Sequence, residues 1–287
     1  MVEKTLSKIC NGKTPDEVLS IRIADIACRS GIYLEESFGF LQNYCVQQYL
    51  ISGKQDHLIE IGNGRFKLPL EERKAILCSC IFGIDIDIHA VEVAKFSLLI
   101  KLIEDETAPS VADVTPILSD LAKNIFYGNS LISPEELTGI TVSGAERIDI
   151  VPFDWNTING GNPFDVIIGN PPYVNTEGMH SLLPKAEVDA YKKKYKTSHK
   201  QFGKYFIFVE QAIRKVVAGG YICYIVPNKF FKIGAGEKLR DLIARARMLV
   251  SLDDFGDAQL FEDKTIYSSI LIEQDKFVYS SIDSARV

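Results

Sequence analysis

The tetrapeptide Asn170-Pro171-Pro172-Tyr173 contains the residues of this sequence best suited to chemistry. It directly follows the apolar run Phe164 to Gly169, and an apolar run closed by glycine and two prolines predicts a buried strand that ends abruptly. The prolines fix φ and lack a backbone N–H, so the loop is stiff and its carbonyl groups stay available as acceptors. This arrangement suits a grip on an NH2 group of a planar ring, although the four residues alone could also form a structural turn.

Three other predicted strands also end in polar or glycine-containing sequences. The stretch Asp25 to Gly31, the residue Asp85 and the pair Asn129-Ser130 each follow a short apolar run. In an open α/β sheet, ligands bind at the carboxyl ends of the strands, near the point where the strand order reverses. Because four strand ends carry such residues, the sequence predicts one ligand site that all four share.

The alternation of apolar runs with amphipathic stretches predicts an α/β fold with a doubly wound, mostly parallel seven-stranded sheet. The predicted strands are Ile21 to Ala27, Ile76 to Ile86, Asn124 to Tyr127, Phe164 to Gly169, Tyr221 to Val226, Leu249 to Phe255 and Thr265 to Glu273. The predicted helices are Tyr33 to Leu50, Val91 to Ile103, Phe206 to Val217 and Gly236 to Arg247. The pair Gly219-Gly220 is expected to end the third helix.

Two segments interrupt this alternation. A polar insert at about 51–74 contains Asn63-Gly64 between alternating residues, which predicts a small hairpin with a type I′ turn. A lysine-rich segment at about 174–204 follows the Asn-Pro-Pro-Tyr motif, and we expect it to be a long loop.

Composition narrows the class of protein. The 287 residues suit one domain over 1–287, and the net charge of −6 argues against a chain that wraps nucleic acid with its whole surface. The six cysteines form no CxxC pair and the four histidines no HExxH, so we expect reduced thiols and no metal site. The N-terminus lacks the apolar core of a signal peptide and no run is long enough to span a bilayer, which predicts a cytoplasmic protein without a membrane partner.

The spacing of the strand-end motifs resembles the S-adenosylmethionine-dependent N6-adenine DNA methyltransferases of bacterial restriction–modification systems. The resemblance covers Ile21 to Glu273. The matching segments are Asp25-Ile26-Ala27-Cys28-Arg29-Ser30-Gly31-Ile32-Tyr33-Leu34, Gly83-Ile84-Asp85-Ile86-Asp87, Gly128-Asn129-Ser130-Leu131, the Asn-Pro-Pro-Tyr motif and Phe261-Glu262-Asp263-Lys264-Thr265. The resemblance implies a Rossmann-like class I methyltransferase fold, S-adenosyl-L-methionine as cofactor, and methyl transfer to the N6 amino group of an adenine flipped out of double-stranded DNA.

By this resemblance, the first three motifs hold the cofactor. Asp85 would accept hydrogen bonds from the ribose hydroxyls, unless it is only the N-cap of the next helix, a role for which Asp87 is the better candidate. The Asn129 side chain and the Ser130 backbone N–H would read the edge of the cofactor's adenine, unless Asn129 is an ordinary turn residue. The predicted cofactor-binding residues are Asp25, Ala27, Cys28, Gly31, Asp85, Ile86, Asn129, Ser130 and Asn170.

The predicted catalytic residues are Asn170, Pro171, Pro172 and Tyr173. The Asn170 side-chain oxygen and the Pro171 carbonyl would accept both N–H groups of the target amine and make its nitrogen a better nucleophile. Tyr173 would stack on the flipped base. Phe261 would cover the opposite face, unless it is a core residue ahead of a strand.

The lysine-rich segment offers candidate contacts to DNA phosphates. The predicted contacts are Lys193, Lys194, Lys196 and Lys200, unless the segment is only a solvated loop.

The sequence departs from the family at three places. Arg29 stands where the family usually has glycine, and a larger residue is disfavoured if the loop needs a positive φ. Thr14-Pro15 lies only ten residues before Asp25, too close for the family's closing helix, which predicts a loop there. About fourteen residues follow Glu273, so we expect the target recognition domain to be absent and that domain, or a fused endonuclease, to be a partner within a parent protein.

Three alternatives to this function stay open. A protein glutamine N5-methyltransferase uses the same motif, because a planar amide poses the same chemical problem as an adenine amine; the insert and Phe261 argue against it. N6-adenine methylation of structured RNA is a variant of the main prediction. The third possibility is a binding module that keeps the methyltransferase fold without activity. In that case, Arg29 in place of the family's glycine would indicate the loss of catalytic function.

Overall fold

The structure is a computed structural model that describes residues 1–106, 120–142, 144–245, 249–254 and 268–273. In chain order, its strands are β1 (Ile23–Asp25), β2 (Ile59–Glu60), β3 (Phe66–Lys67), β4 (Ile81–Asp85), β5 (Ile125–Tyr127), β6 (Phe164–Gly169), β7 (Val216–Val226), β8 (Leu249–Asp254) and β9 (Ser268–Glu273). Its α-helices are α1 (Val2–Cys10), α2 (Pro15–Val18), α3 (Ile32–Ile51), α4 (Leu70–Cys80), α5 (Ile88–Ile103), α6 (Gly144–Ile150), α7 (Thr176–Leu182), α8 (Lys185–Lys194), α9 (Lys204–Lys215) and α10 (Glu237–Arg245). None of the helices in these ranges is both long and apolar enough to cross a membrane.

The main sheet has seven strands in the order β5-β4-β1-β6-β7-β9-β8. The first five of these run parallel, and β9 pairs antiparallel with both β7 and β8. The chain builds outward from β1 through β4 to β5 and then returns to β6 on the other side of β1. The strand order therefore reverses between β1 and β6, the place where ligands bind in such sheets. The predicted doubly wound, mostly parallel α/β sheet is confirmed.

Helices cover both faces of the sheet, as buried parallel strands require. Phe38 of α3 and Leu98 of α5 belong to the apolar cluster on one face, and Phe206 of α9 belongs to the cluster on the other. Ile23 and Ala24, adjacent in β1, divide between the two clusters, because successive side chains of a strand point to opposite faces. The central strands are thereby fixed in position, with their carboxyl ends together at one edge of the sheet.

The strand predicted over Ile76 to Ile86 is wrong in its first half. Helix α4 continues to Cys80, and β4 begins only at Ile81. A short apolar run fits a buried helical segment as well as a buried strand, and periodicity alone does not separate the two. The residues ahead of the run favour the helix, because acidic side chains in the first turn interact favourably with the helix dipole.

The prediction that Gly219-Gly220 ends a helix is also wrong. Helix α9 ends at Lys215, and both glycines lie inside β7, where the register against β6 shifts after Phe164. Gly219 has a φ of 80°, and a Cβ on Gly220 would lie 2.7 Å from the carbonyl oxygen of Asp165. The glycines are therefore needed for an irregularity in the strand and not for a helix cap.

The hairpin predicted in the insert is confirmed. Strands β2 and β3 pair antiparallel, and Asn63 and Gly64 have φ values of 55° and 69°. A type I′ turn needs a positive φ at both central residues, which asparagine and glycine adopt most readily.

The lysine-rich segment is helical over much of its length, so its prediction as a long loop is wrong. It contains α7 and α8. Asn175 caps α7 by accepting a hydrogen bond from the Gly178 N–H at 2.8 Å, and Pro184 directly precedes α8. These local signals for a helix start lie within a polar sequence whose charge density pointed to a loop.

Thr14-Pro15, predicted as a loop, begins the short helix α2. The Glu17 N–H donates to the Thr14 hydroxyl at 3.3 Å, and the Thr14 N–H donates to the Glu17 carboxylate at 2.8 Å. This reciprocal capping box stabilises one helical turn in the space before β1.

Gly169, the last residue of β6, is expected to tolerate no side chain. A Cβ at this position would lie 2.6 Å from Oδ1 of the buried Asp25. Gly169→Ala should lower the free energy of unfolding by about 1–3 kcal/mol, the usual cost of overpacking a filled site. Gly144→Ala is the control, because nothing lies within 4 Å of a Cβ there. Urea unfolding compares the variants, and equal stabilities would show that Asp25 moves aside without cost.

Candidate functional site

A cleft of about 160 Å³ opens at the carboxyl ends of the central strands. The loops after these strands supply most of its wall, and helix α9 supplies the rest. The loops contribute, among others, Ala27, Asp85, Ile86, Asn129, Ser130 and Pro172, and α9 contributes Lys204 and Phe208. All four motifs predicted to share one site therefore lie together, at the point where the strand order reverses.

A larger groove, of about 560 Å³, lies between α1 and α3. Its lining includes Glu3, Glu35 and Tyr44 and none of the strand-end motifs. In this type of sheet the position at the strand ends, with converging polar groups, is a better guide to a ligand site than size. The smaller cleft is therefore the candidate site.

Asp85 ends β4 and joins two loops of the cleft. One carboxylate oxygen accepts a hydrogen bond from the Arg29 N–H at 2.7 Å, and the other accepts one from the Asp87 N–H at 2.9 Å. Each oxygen of a carboxylate can accept a second hydrogen bond, so Asp85 can hold both loops and still accept from a ligand. Asp87 is the N-cap of α5, since its carboxylate accepts from the His89 N–H at 2.9 Å. The expectation that Asp87 is the capping residue is confirmed.

The loop from Ala27 to Gly31 has an unusual backbone. Gly31 has a φ of 83°, and a Cβ on it would lie 3.0 Å from the Cβ of Ala94. Arg29 also has a positive φ, 48°, which few residues with a side chain adopt. The loop thus needs the positive φ that the family's glycine would provide, and the hydrogen bond from the Arg29 N–H to Asp85 helps to offset the strain.

The side chains of two predicted cofactor residues are buried beneath the backbone of this loop. Cys28 is buried, and its Sγ lies against Gly83. Asp25 is 2% exposed, and its Oδ1 accepts a hydrogen bond from the Ala27 N–H at 3.0 Å. Burial raises the pKa of Asp25 to about 7, although the Ala27 N–H lowers it. Asp25 and Cys28 support the loop from below and do not form the wall of the cleft.

Asn129 directs its side chain into a buried polar cluster. Its Oδ1 accepts a hydrogen bond from the Leu131 N–H at 3.1 Å. Its Nδ2 lies 3.1 Å from Oε1 of Glu187 and 3.3 Å from the hydroxyl oxygen of Tyr191. We call Asn129, Glu187, Tyr191 and Lys204 the Glu187 cluster, because Oε1 of Glu187 contacts the other three. The predicted contact of the Asn129 side chain with a cofactor adenine stays a prediction.

Ser130 joins two of the strand ends. Its hydroxyl donates to the carbonyl oxygen of Ile26 at 2.6 Å, and its own carbonyl accepts from Nε2 of Gln211 at 3.0 Å. The loop after β5 is thereby fixed to the loop after β1 and to α9.

In the loop that follows β6, the hydroxyl of Tyr173 contacts the side chain of Asn170. It contacts Oδ1 of Asn170 and also lies 2.9 Å from the carbonyl oxygen of Ile225 in β7. The Tyr173 ring packs edge-to-face with Tyr205, with 6.1 Å between the ring centroids. A target amine that bonds to the Asn170 oxygen must therefore displace this hydroxyl or share the oxygen with it.

The four lysines predicted to contact phosphates are not equivalent. The Lys194 ammonium lies 2.9 Å from the Glu136 carboxylate, and its side chain is mostly buried. Lys193, Lys196 and Lys200 are exposed. The structure thus uses Lys194 in an internal ion pair and leaves the other three at the surface.

Helices α8 and α9 contribute residues that sequence reasoning missed. Phe208 gives the cleft an apolar wall, Lys204 gives it a positive charge, and Glu187 lies beneath. Both charged residues stand in the lysine-rich segment, which the sequence predicted to be a loop, and no spacing in the sequence ties that segment to the strand ends. Phe261, predicted to stack on the target base, lies outside the residues that the structure describes.

Comparison with known proteins identifies relatives of the chain. A family model described as Eco57I restriction-modification methylase matches residues 79–261. The type II restriction enzyme and methyltransferase RM.Eco57I of Escherichia coli is 42% identical over 271 residues, which are 94% of this chain and 26% of that protein. The type II methyltransferase M.PaeR7I of Pseudomonas aeruginosa is 32% identical over 110 residues, 38% of this chain and 18% of that one.

Solved structures show the same fold. The ATP-dependent type ISP restriction–modification enzyme LlaBIII, bound to DNA, matches with a TM-score of 0.60 at 13% identity, over 96% of this chain and 18% of that chain. This likeness shows that the chain has the fold of that part of the enzyme.

The chain belongs to the Eco57I restriction-modification methylase family, because the family model matches well over half of it. The resemblance to restriction–modification methyltransferases inferred from the motifs is confirmed. The chain spans about a quarter of the length of its relative from E. coli.

Asp25 should make the stability of the fold depend on pH. Its pKa is raised to about 7 in the folded protein from an ordinary value of 3.8, so between these values the folded state holds a proton that the unfolded chain has lost. The free energy of unfolding should therefore fall as pH rises, by at most about 1.4 kcal/mol per pH unit, until it levels off above about pH 7.

Asp25→Asn should remove this decline, and the exposed Asp56→Asn should retain it. Urea unfolding at a series of pH values from about 4 to 8 measures the slopes. Parallel curves for the wild type and Asp25→Asn would contradict the assignment.

Proposed function

We propose that the chain transfers a methyl group from S-adenosyl-L-methionine to the exocyclic N6 amino group of an adenine in double-stranded DNA. It would be the site-specific, adenine-specific DNA-methyltransferase part of a restriction–modification enzyme. The observation that carries the proposal is the position of the Asn170 loop, which ends β6 beside the cleft formed by the other strand ends. Family membership supports a methyltransferase, and the chemistry of the loop supports an amino group on a flat ring as its target.

The residues of the cleft fit an adenosine-containing cofactor. Asp85 has acceptor capacity left for the hydroxyls of a ribose. Ile86 and Phe208 offer apolar surface for a flat base. Ala27 and Arg29 of the loop after β1 line the cleft, which suits the family's proposed contact with the methionine end. When bound, S-adenosyl-L-methionine supplies an electrophilic methyl group on a positively charged sulfur atom.

Asn170 and Pro171 would prepare the target amine. The lone pair of an adenine amine is delocalised into the ring, which makes the nitrogen a poor nucleophile. When the Asn170 oxygen and the Pro171 carbonyl accept its two N–H groups, the nitrogen moves toward a tetrahedral geometry with a localised lone pair. The two acceptors also stabilise the positive charge that develops as the new N–C bond forms and before the nitrogen loses a proton.

The adenine must leave the duplex to reach this loop. The ring of Tyr173 would stack on the flipped base, an interaction worth on the order of 1–3 kcal/mol. Phe261 is proposed for the opposite face. The exposed Lys193, Lys196 and Lys200 are proposed to contact phosphates, which position the duplex without reading its sequence.

The partners of this activity would lie in a longer protein. The E. coli relative is by its name both a restriction enzyme and a methyltransferase, and this chain matches 26% of it. We propose that the present stretch is a methyltransferase part, and that target recognition and an endonuclease are supplied elsewhere in such a protein.

Asn170→Ala should lower the rate of methyl transfer by on the order of 10²–10³-fold, because it removes a preorganised acceptor for the amine. Cofactor affinity should change far less. Incubation with tritiated cofactor and unmethylated duplex DNA, followed by mass spectrometry of the nucleosides, measures the rate and should show N6-methyldeoxyadenosine. Asn175→Ala is the matched control, since that side chain caps α7 instead.

RNA and a protein extract are assayed in parallel with the duplex. Label that appears only on glutamine amides of protein, or on another base, would overturn the proposal. An Asn170→Ala variant as active as Asn175→Ala would remove Asn170 from the catalytic role.

A further inference from the structure

Lys204, the first residue of α9, is a buried cation with poorly used hydrogen-bond donors. The residue is 8% exposed and lines the cleft. Its ammonium lies 3.7 Å from Oε1 of Glu187, beyond the normal range for a hydrogen bond. That oxygen is also contacted by Asn129 and Tyr191. The ammonium also lies over the ring of Tyr191, 5.5 Å from its centroid.

This position is a costly one for a lysine. Burial lowers the pKa of Lys204, while the negative charges of Glu187 and Asp85 raise it. The N-terminus of a helix also disfavours a cation, because the positive end of the helix dipole lies there. A shared acceptor at 3.7 Å and the ring of Tyr191 compensate this cost only weakly, so the ammonium keeps donors for a ligand in the cleft.

Asn129, the residue expected to bind the edge of a base, is 3% exposed and directs its side-chain amide into the Glu187 cluster. The atom that faces the Leu131 N–H must be an oxygen, which fixes the orientation of the amide. Nδ2 therefore faces Glu187 and Tyr191, so the amide group is directed into the Glu187 cluster. Lys204 approaches the same Glu187 oxygen and lines the cleft, so its ammonium is a donor placed to meet a ligand there.

We infer that Lys204 binds the cofactor by donating a hydrogen bond to a ring nitrogen of its adenine. This inference rests on the proposed function, because it needs an adenosine cofactor in the cleft. The ring nitrogens of adenine are acceptors only, and an ammonium group is a donor only, so the two are complementary. The ribose hydroxyls do not need Lys204, because Asp85 has acceptor capacity for them. The role that the sequence gave to the Asn129 side chain passes in this way to Lys204.

Calorimetric titration with S-adenosylhomocysteine and its 1-deaza, 3-deaza and 7-deaza analogues tests this contact. Each analogue replaces one ring nitrogen by a C–H group that accepts nothing. Wild type should bind one of the three analogues about tenfold more weakly than S-adenosylhomocysteine, the effect of losing one charged hydrogen bond. Lys204→Met should bind S-adenosylhomocysteine about tenfold more weakly than wild type does. This variant should bind S-adenosylhomocysteine and that analogue with equal affinity.

Lys185→Met is the matched control, because Lys185 is likewise the first residue of its helix but is exposed. It should show the analogue preference of wild type. If Lys204→Met fails to fold because Glu187 is left without a cation, the double variant Lys204→Met with Glu187→Gln removes both charges and is titrated instead.

The results distinguish failure of the Lys204 contact from failure of the cofactor assignment. Equal affinity of wild type for all four compounds, or the same analogue preference in wild type and in the Lys204 variants, would overturn the contact while leaving the cofactor in place. Failure of wild type to bind S-adenosylhomocysteine at all would overturn the cofactor assignment of the proposed function, and the inference with it.

Discussion

The candidate site depends on the carboxylate of Asp85, which fixes the loops after two neighbouring strands relative to each other. It accepts the N–H of Arg29 on one side and the N–H of Asp87 on the other. The parallel sheet brings the strand ends to one edge, but the loops beyond them could adopt many conformations. The hydrogen bonds of Asp85, together with the hydrogen bond from Ser130 to Ile26, stabilise one of these loop conformations. A site of this kind works only if its walls are held before the ligand arrives.

A second constraint is the Glu187 cluster, which connects the cleft to helix α8. Glu187 and Tyr191 are buried on one side of this helix and contact Asn129, while Lys193 on the same helix is exposed. A fully buried carboxylate is costly unless it is hydrogen-bonded, and here two donors and one nearby ammonium surround it. Helix α8 therefore carries both Lys193, which is proposed to meet DNA, and Glu187, which supports the cleft through Asn129 and Lys204.

The sequence was sufficient to predict the sheet and the residues at its strand ends, because both follow from local patterns. The apolar run into Asn170, the acidic residue after β4 and the Asn63-Gly64 turn each have a short-range physical signature. The prediction of helices was wrong where two local signals competed. The apolar run of α4 fits a strand as well as a helix, and the lysine-rich segment combines helix caps with a charge density typical of a loop. Lys204 and Glu187 could not be predicted as site residues, because only the tertiary packing of α8 and α9 brings them to the cleft.

Arg29 shows the limit of reasoning from a family pattern. The sequence indicated correctly that arginine is a poor choice for a loop with a positive φ, and the structure gives it a φ of 48°. What the pattern did not contain is the backbone bond to Asp85, which needs no particular side chain at residue 29. The loop can therefore keep its shape without the glycine.

The affinity of Asp85→Asn for S-adenosylhomocysteine, compared with that of Asp87→Asn by calorimetry, tests the central role of Asp85 most directly. Both variants remove one negative charge beside the same loop, but only Asp85 faces the cleft, and Asp87 caps α5. The account predicts a loss of about tenfold or more for Asp85→Asn, since a charged hydrogen-bond acceptor is worth on the order of 1.5–3 kcal/mol, and near wild-type affinity for Asp87→Asn. Unchanged affinity of Asp85→Asn, or an equal loss in both variants, would contradict it.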